Sequence, residues 1–154
     1  MYTAVAAHRS LGKLGTSPQV WRLDMVDGDT ILVADDDAGI LQMLALMLED
    51  AGYNVVVASD GKEALGMVEM YRPDLVLLDF MMPNMDGCTA CQRLKSDENT
   101  RKLPVVLMSA DRKVAEKAIE AKADDYLLKP FSIEDMLGCL ENFLGPSEER
   151  FHDA

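Results

Sequence analysis

The chain has 154 residues, 49% of them hydrophobic and 27% charged, with a formal net charge of −12. That length and mix specify one globular domain with room for a real core, and they exclude a disordered tail. The negative charge argues against free-standing nucleic-acid binding, and no apolar run approaches the roughly 20 residues of a membrane span.

Residues 1–29 read as a flexible leader. They carry Arg9, Lys13 and Arg22, no acid before Asp24 and no sustained period. "TAVAA" is too short for a secretory signal, which leaves a cytoplasmic location as the expectation. A short basic arm lying on the acidic domain is the alternative, and Met25 is a possible natural start, because "MVDGDTILV" runs straight into a strand. From Thr30 short β-type runs alternate with helical patterns. "ILVA" precedes "AGILQMLALMLEDAG", where Ile40, Leu44, Met47 and Leu48 repeat at helical spacing. "NVVVAS" is the second strand, and Asp60 is placed to cap the helix "DGKEALGMVEMYR". "PDLVLLD" is the third strand, and the loop "FMMPNMDG" leads to the helix "CTACQRLKSD". "LPVVLMSA", "DRKVAEKAIEAKA" and "DDYLLK" supply the fourth strand, fourth helix and fifth strand. The series ends in "SIEDMLGCLENFL", capped by Ser132, with Asp135 at the capping-box position and Ile133, Met136, Leu137, Leu140 and Leu144 as its buried stripe. Residues 145–154 are a charged, breaker-rich tail.

Five such βα units over residues 30–144 predict an α/β fold, a single (βα)5 doubly wound sheet. Nearly continuous Val, Ile and Leu strands predict burial on both faces and parallel pairing. With the flavodoxin-like order 2-1-3-4-5, the first and third strands are neighbours, and ligands bind beyond their carboxyl ends. The residues that terminate the strands therefore matter most. They are Asp35 and Asp36 after the first strand, Asp79 after the third, Ser109 after the fourth and Lys129 before Pro130 after the fifth.

Two carboxylates about 4 Å apart repel by about 1 kcal/mol in water, and by about 4 kcal/mol at an effective dielectric of about 20. One lysine does not neutralise three acids, so the cluster reads as half of a site for a divalent ion. Hard oxygen ligands favour Mg²⁺, with Mn²⁺ as the substitute. A metal, a cation, a hydroxyl and a nucleophilic carboxylate together make up a phosphoryl-transfer site. Asp37 has a simpler expected task, capping the first helix.

The stretches "ILVADDD", "PDLVLLDFMMPNMDG", "VVLMSA" and "ADDYLLKPF" resemble the receiver domain of two-component response regulators, over residues 30–144. The resemblance implies that Asp79 is the phospho-acceptor, taking its phosphoryl group from a histidine kinase or phosphotransfer protein. It implies that Asp36, Asp79 and the carbonyl of Met81 bind Mg²⁺ directly while Asp35 assists through water. Ser109 and Lys129 would hold phosphoryl oxygens, and the Lys129–Pro130 peptide would be cis. Tyr126 matches the family's switch aromatic; read from the residues alone, it is equally a strand Tyr with its hydroxyl at the surface. Ala110 is small and leaves the phosphate accessible, and Gly87 serves a tight loop. Met81 stands where some receivers carry a polar residue that assists the hydrolytic water, and an apolar side chain there is expected to slow dephosphorylation. Lys122 replaces a common Gly. Output is expected through an unknown protein partner on the face of the fourth helix, fifth strand and fifth helix, without direct contact to nucleic acid or membrane. Nothing after Leu144 reads as an output domain, so a stand-alone receiver and one cut from a longer protein both remain open.

Competing readings are a phosphorylation-independent pseudo-receiver and an Asp-nucleophile phosphohydrolase. The latter would want an acid two residues past the nucleophile, where Met81 stands. A flavin carrier is disfavoured because Asp35, Asp36 and Asp37 would repel its phosphate. Cys88 and Cys91 form a CxxC inside a helical pattern, and with Cys139 they read as half-buried packing in a reducing compartment rather than a redox or zinc set. His8 and His152, near the termini, have no partners that would make a site.

Overall fold

In the computed structural model, which describes residues 28–146, five parallel strands form one sheet in the order β2-β1-β3-β4-β5. They are β1 (Thr30–Ala34), β2 (Asn54–Ala58), β3 (Leu75–Asp79), β4 (Val105–Ser109) and β5 (Asp125–Leu128). The helices α1 (Ala38–Asp50), α2 (Gly61–Tyr71), α3 (Gly87–Ser96), α4 (Val114–Ala121) and α5 (Ile133–Leu144) make the crossovers. The expectations on the leader, Met25, His8, His152 and the end of the tail lie outside the described residues.

Side chains alternate across each strand, so the sheet feeds two cores. Leu32, Ala34, Val76, Leu78 and Leu107 point one way and pack with Ala64, Val68, Leu94 and Ala118 of α2, α3 and α4. Ile31, Val33, Leu77, Val106 and Met108 point the other way, onto Leu44, Leu48, Met136 and Leu140 of α1 and α5. Burying one Leu or Ile contributes about 1.5–3 kcal/mol, and β1, β3 and β4 are buried along their whole length.

The caps are formed by local chemistry. Asp37 accepts from the amides of Gly39 and Ile40, Asp60 from that of Glu63, and Asp86 from that of Thr89. Ser132 and Asp135 close a capping box on α5.

Four expectations shift. The α1 stripe turns by one position: Leu41, Leu44, Ala45 and Leu48 are buried, and Ile40 and Met47 only partly so. On α5 the stripe takes in Cys139, while Ile133, Leu137 and Leu144 pack at its margin. Helix α4 is shorter than its pattern. Asp111 spends its carbonyl on Val114 and its carboxylate on Lys113, forming a turn, and Lys122 ends the helix in the left-handed region at φ 62°. Strand β5 is an edge strand, so it is not buried on both faces, and Tyr126 and Leu128 are exposed.

Candidate functional site

Strand register brings the acids together. Ala34 pairs with Leu78, so Asp35 and Asp79, one residue further along neighbouring strands, lie side by side at the carboxyl edge. Lys129 reaches in from the end of β5. Its Nζ lies 2.8 Å from Asp35 Oδ2 and 2.7 Å from Asp79 Oδ1. The other oxygen of Asp35 accepts from the amide of Asp37 at 2.9 Å, so both oxygens of this carboxylate are engaged. Asp36 stands exposed beside the pair, and a carboxylate oxygen from each of Asp35, Asp36 and Asp79 lies within 4.8 Å of the others.

The backbone frames Asp79. The Phe80 amide donates to Met108 O at 2.8 Å, and its carbonyl accepts from Gly87 at 3.0 Å. Gly87 is required there, because a Cβ would collide with the carbonyl of Asp79. The Lys129 amide donates to Ser109 O at 2.8 Å, and the Lys129–Pro130 peptide is cis. Ser109 is buried, and its Oγ accepts from the amide of Asp111 at 3.0 Å. Met81, two residues past Asp79, is 67% exposed. Tyr126 is 43% exposed, the outward setting of a strand Tyr.

Burial raises the Asp79 pKa above the ordinary carboxylate value, and the charges of Asp35 and Asp36 push it the same way, against the pull of Lys129. Burial works to lower the Lys129 ammonium, but its bonds to Asp35 and Asp79 outweigh that and leave its pKa raised. One ammonium facing three carboxylates leaves an excess of negative charge. Three hard oxygen donors at this spacing therefore fit a small divalent cation. The cysteines do not compete for such a role: burial pushes the thiols of Cys91 and Cys139 up to about 12, which keeps them protonated, and all three cysteines are free.

Two contacts were not legible in the sequence. Asn84, in the left-handed region, donates to Asp60 Oδ2 at 2.8 Å and ties the β3–α3 loop to the start of α2. Lys117 of α4 bonds Asp111 Oδ2 at 2.6 Å and lies 4.1 Å over the Phe80 ring. An Asp two residues past Ser109 was the available signal for the second. The first had none beyond the loop-prone "PNMDG".

The arrangement defines a class: a carboxylate-rich site at the switch point of a flavodoxin-like sheet. The family model for the response regulator receiver domain matches residues 31–141, and the chain belongs to that family. It is 43% identical over 116 residues to the DNA-binding dual master transcriptional regulator RpaA of Synechocystis, covering 74% of this chain and 48% of that one. The chain spans about half the length of the curated relatives it matches. Among solved structures it resembles chemotaxis protein CheY4 of Vibrio cholerae (29% identity, TM-score 0.71, 76% of this chain and 99% of that one). It also resembles the receiver domain of a sensor histidine kinase of Pseudomonas aeruginosa, which has a magnesium ion coordinated in its active site cleft (30% identity, TM-score 0.71, 77% and 99%). The family is a signalling domain of two-component systems, and among the described residues no helix is long and apolar enough to cross a membrane.

Proposed function

We propose that this chain accepts a phosphoryl group on Asp79 from the phosphohistidine of a histidine kinase or phosphotransfer protein, and that the modification switches a protein-binding surface. The observation that carries the reading is the convergence of Asp35, Asp36 and Asp79 within 4.8 Å, with Lys129 bonded to two of them.

Asp79 Oδ1 is held by Lys129, and Oδ2 accepts no hydrogen bond from the described residues, so it is the oxygen free to attack. Its lone pair forms the new O–P bond as the P–N bond to the donor imidazole breaks, and the electron pair of that bond leaves on the ring nitrogen. Lys129 stays at the acceptor and neutralises a phosphoryl oxygen. Asp35 orients Lys129. The Ser109 hydroxyl donates to a second phosphoryl oxygen once it turns from Asp111. Asp35, Asp36, Asp79 and the Met81 carbonyl would hold Mg²⁺, or Mn²⁺ in its place, and the ion supplies charge neutralisation for acceptor and phosphoryl oxygens.

Movement of Ser109 is relayed to the α4–β5–α5 face, where Ile119, Tyr126 and Leu128 are exposed. Tyr126 turns inward there and changes what the face binds. The domain is an acceptor rather than a turnover enzyme, it works in the cytoplasm, and with a net charge of −12 it makes no direct contact with nucleic acid. DNA binding is named for a relative about twice as long as the matched segment.

Incubation with acetyl phosphate and Mg²⁺, followed by intact-mass measurement, tests the reading. One phosphoryl group per chain is expected, abolished by chelator and by Asp79→Ala. Multiple turnover of the donor would favour a phosphohydrolase, and no gain a pseudo-receiver.

A further inference from the structure

Lys117 ties α4 to the β4–α4 loop and to the residue that follows Asp79. Its Nζ bonds Asp111 Oδ2 at 2.6 Å and sits 4.1 Å from the centroid of the Phe80 ring, within cation–π range. Phe80 directly follows Asp79. Asp111 donates its backbone amide to Ser109 Oγ at 3.0 Å. The Asp111 carboxylate also accepts from the Lys113 amide at 2.9 Å, so it is fixed at both oxygens. The ammonium beside it holds the Asp111 carboxyl below the ordinary carboxylate value. The Lys117 side chain is 25% exposed and that of Asp111 45%, so the pair lies at the surface.

We infer that Lys117 is a positioning residue, a latch that holds the β4–α4 loop in the arrangement where the Ser109 hydroxyl stays engaged with Asp111. The inference rests on Asp79 being the acceptor. In the latch, turning of Ser109 toward a phosphoryl group on Asp79 breaks its bond from the Asp111 amide, and the loop carrying Asp111 relaxes away from α4. That shift pulls Asp111 from Lys117, and any displacement of Phe80 removes the second contact of the same ammonium. The latch therefore sets the fraction of unmodified molecules whose Ser109 is free. A simple attraction of the anionic donor by Lys117 predicts the opposite effect when the lysine is removed, so the two are separable.

The test compares the wild type with Lys117→Ala, Lys117→Arg and Asp111→Asn, using acetyl phosphate and Mg²⁺ and following intact mass with time. The latch predicts that Lys117→Ala and Asp111→Asn each speed modification about two- to fivefold, from the modest strength of a surface ion pair and one cation–π contact. The double variant should be no faster than Lys117→Ala, because removing the lysine already breaks its contact with Asp111. Lys117→Arg, which keeps the charge and stacks on the ring, should match the wild type. Slower or unchanged modification in Lys117→Ala overturns the latch. Amide hydrogen exchange at Asp111 reads the same contact without any phosphoryl group: faster exchange in Lys117→Ala is expected, and equal exchange overturns the proposal. If exchange accelerates while the wild type takes no phosphoryl group, the acceptor reading fails, and with it the latch as a control on modification.

Discussion

Asp79 is buried at 7% exposure with Lys129 on one oxygen and two acids beside it, and that environment gives it a pH signature. Burial, its largest cause, raises its pKa above the value of 3.8 for the free side chain. A raised carboxyl binds its proton more tightly in the folded state, so its contribution is favourable below 3.8 and is lost as pH rises through the raised value. At neutral pH the ionised Asp79 therefore costs stability when no cation is bound. In chelator, Asp79→Asn should raise unfolding free energy at pH 7 by on the order of 1 kcal/mol, and the gain should vanish at low pH. Denaturant titrations of both proteins across that range check it; equal stability at pH 7 would contradict it. At the same scale, Met81→Asn should shorten the half-life of the modified protein several-fold, because an exposed polar side chain beside Asp79 can orient water. Decay of the phosphorylated mass after the donor is removed measures this, and an unchanged lifetime would count against a role for Met81. The strand-end acids, Ser109 and Lys129 were legible because a parallel α/β sheet directs every strand end to one edge. The Lys117–Asp111–Phe80 contact was not, since it depends on where α4 begins.

Elements carry a different kind of information. Periodicity indicated five strands and five helices, but it could not place the ends of α4, where a side-chain turn at Asp111 and a left-handed Lys122 override the apolar repeat. The substitution of Lys for a common Gly was visible in the sequence, and its consequence is a residue with a Cβ at φ 62°. Lys122→Gly should stabilise the domain by about 0.5–1 kcal/mol, since the left-handed penalty for an L-residue exceeds glycine's extra unfolded-state entropy. Thermal unfolding would show a higher midpoint, and a lower one would contradict this account. Strand β5 shows the limit of an apolar run as a signal. The near-continuous apolar strands predict burial on both faces, yet the edge position of β5 leaves Tyr126 and Leu128 exposed on the proposed output face.

For the whole molecule, the excess of negative charge is gathered where the sheet ends as well as spread over the surface. A cation that binds only the folded cluster should stabilise the entire domain by mass action, about 2.7 kcal/mol at a hundred times Kd. Melting curves with and without Mg²⁺ should differ by several degrees in the wild type and much less in Asp36→Asn; a shift that survives the substitution would place the ion elsewhere. The central claim concerns one carboxylate, and its chemistry allows a direct reading. Borohydride reduces an acyl phosphate to the alcohol, so treating the acetyl-phosphate-modified protein should convert residue 79 to homoserine, localised by peptide mass mapping. Homoserine at position 79 alone is the predicted result. Its appearance at Asp35 or Asp36, or at no position in a protein that has gained phosphate, would contradict the account.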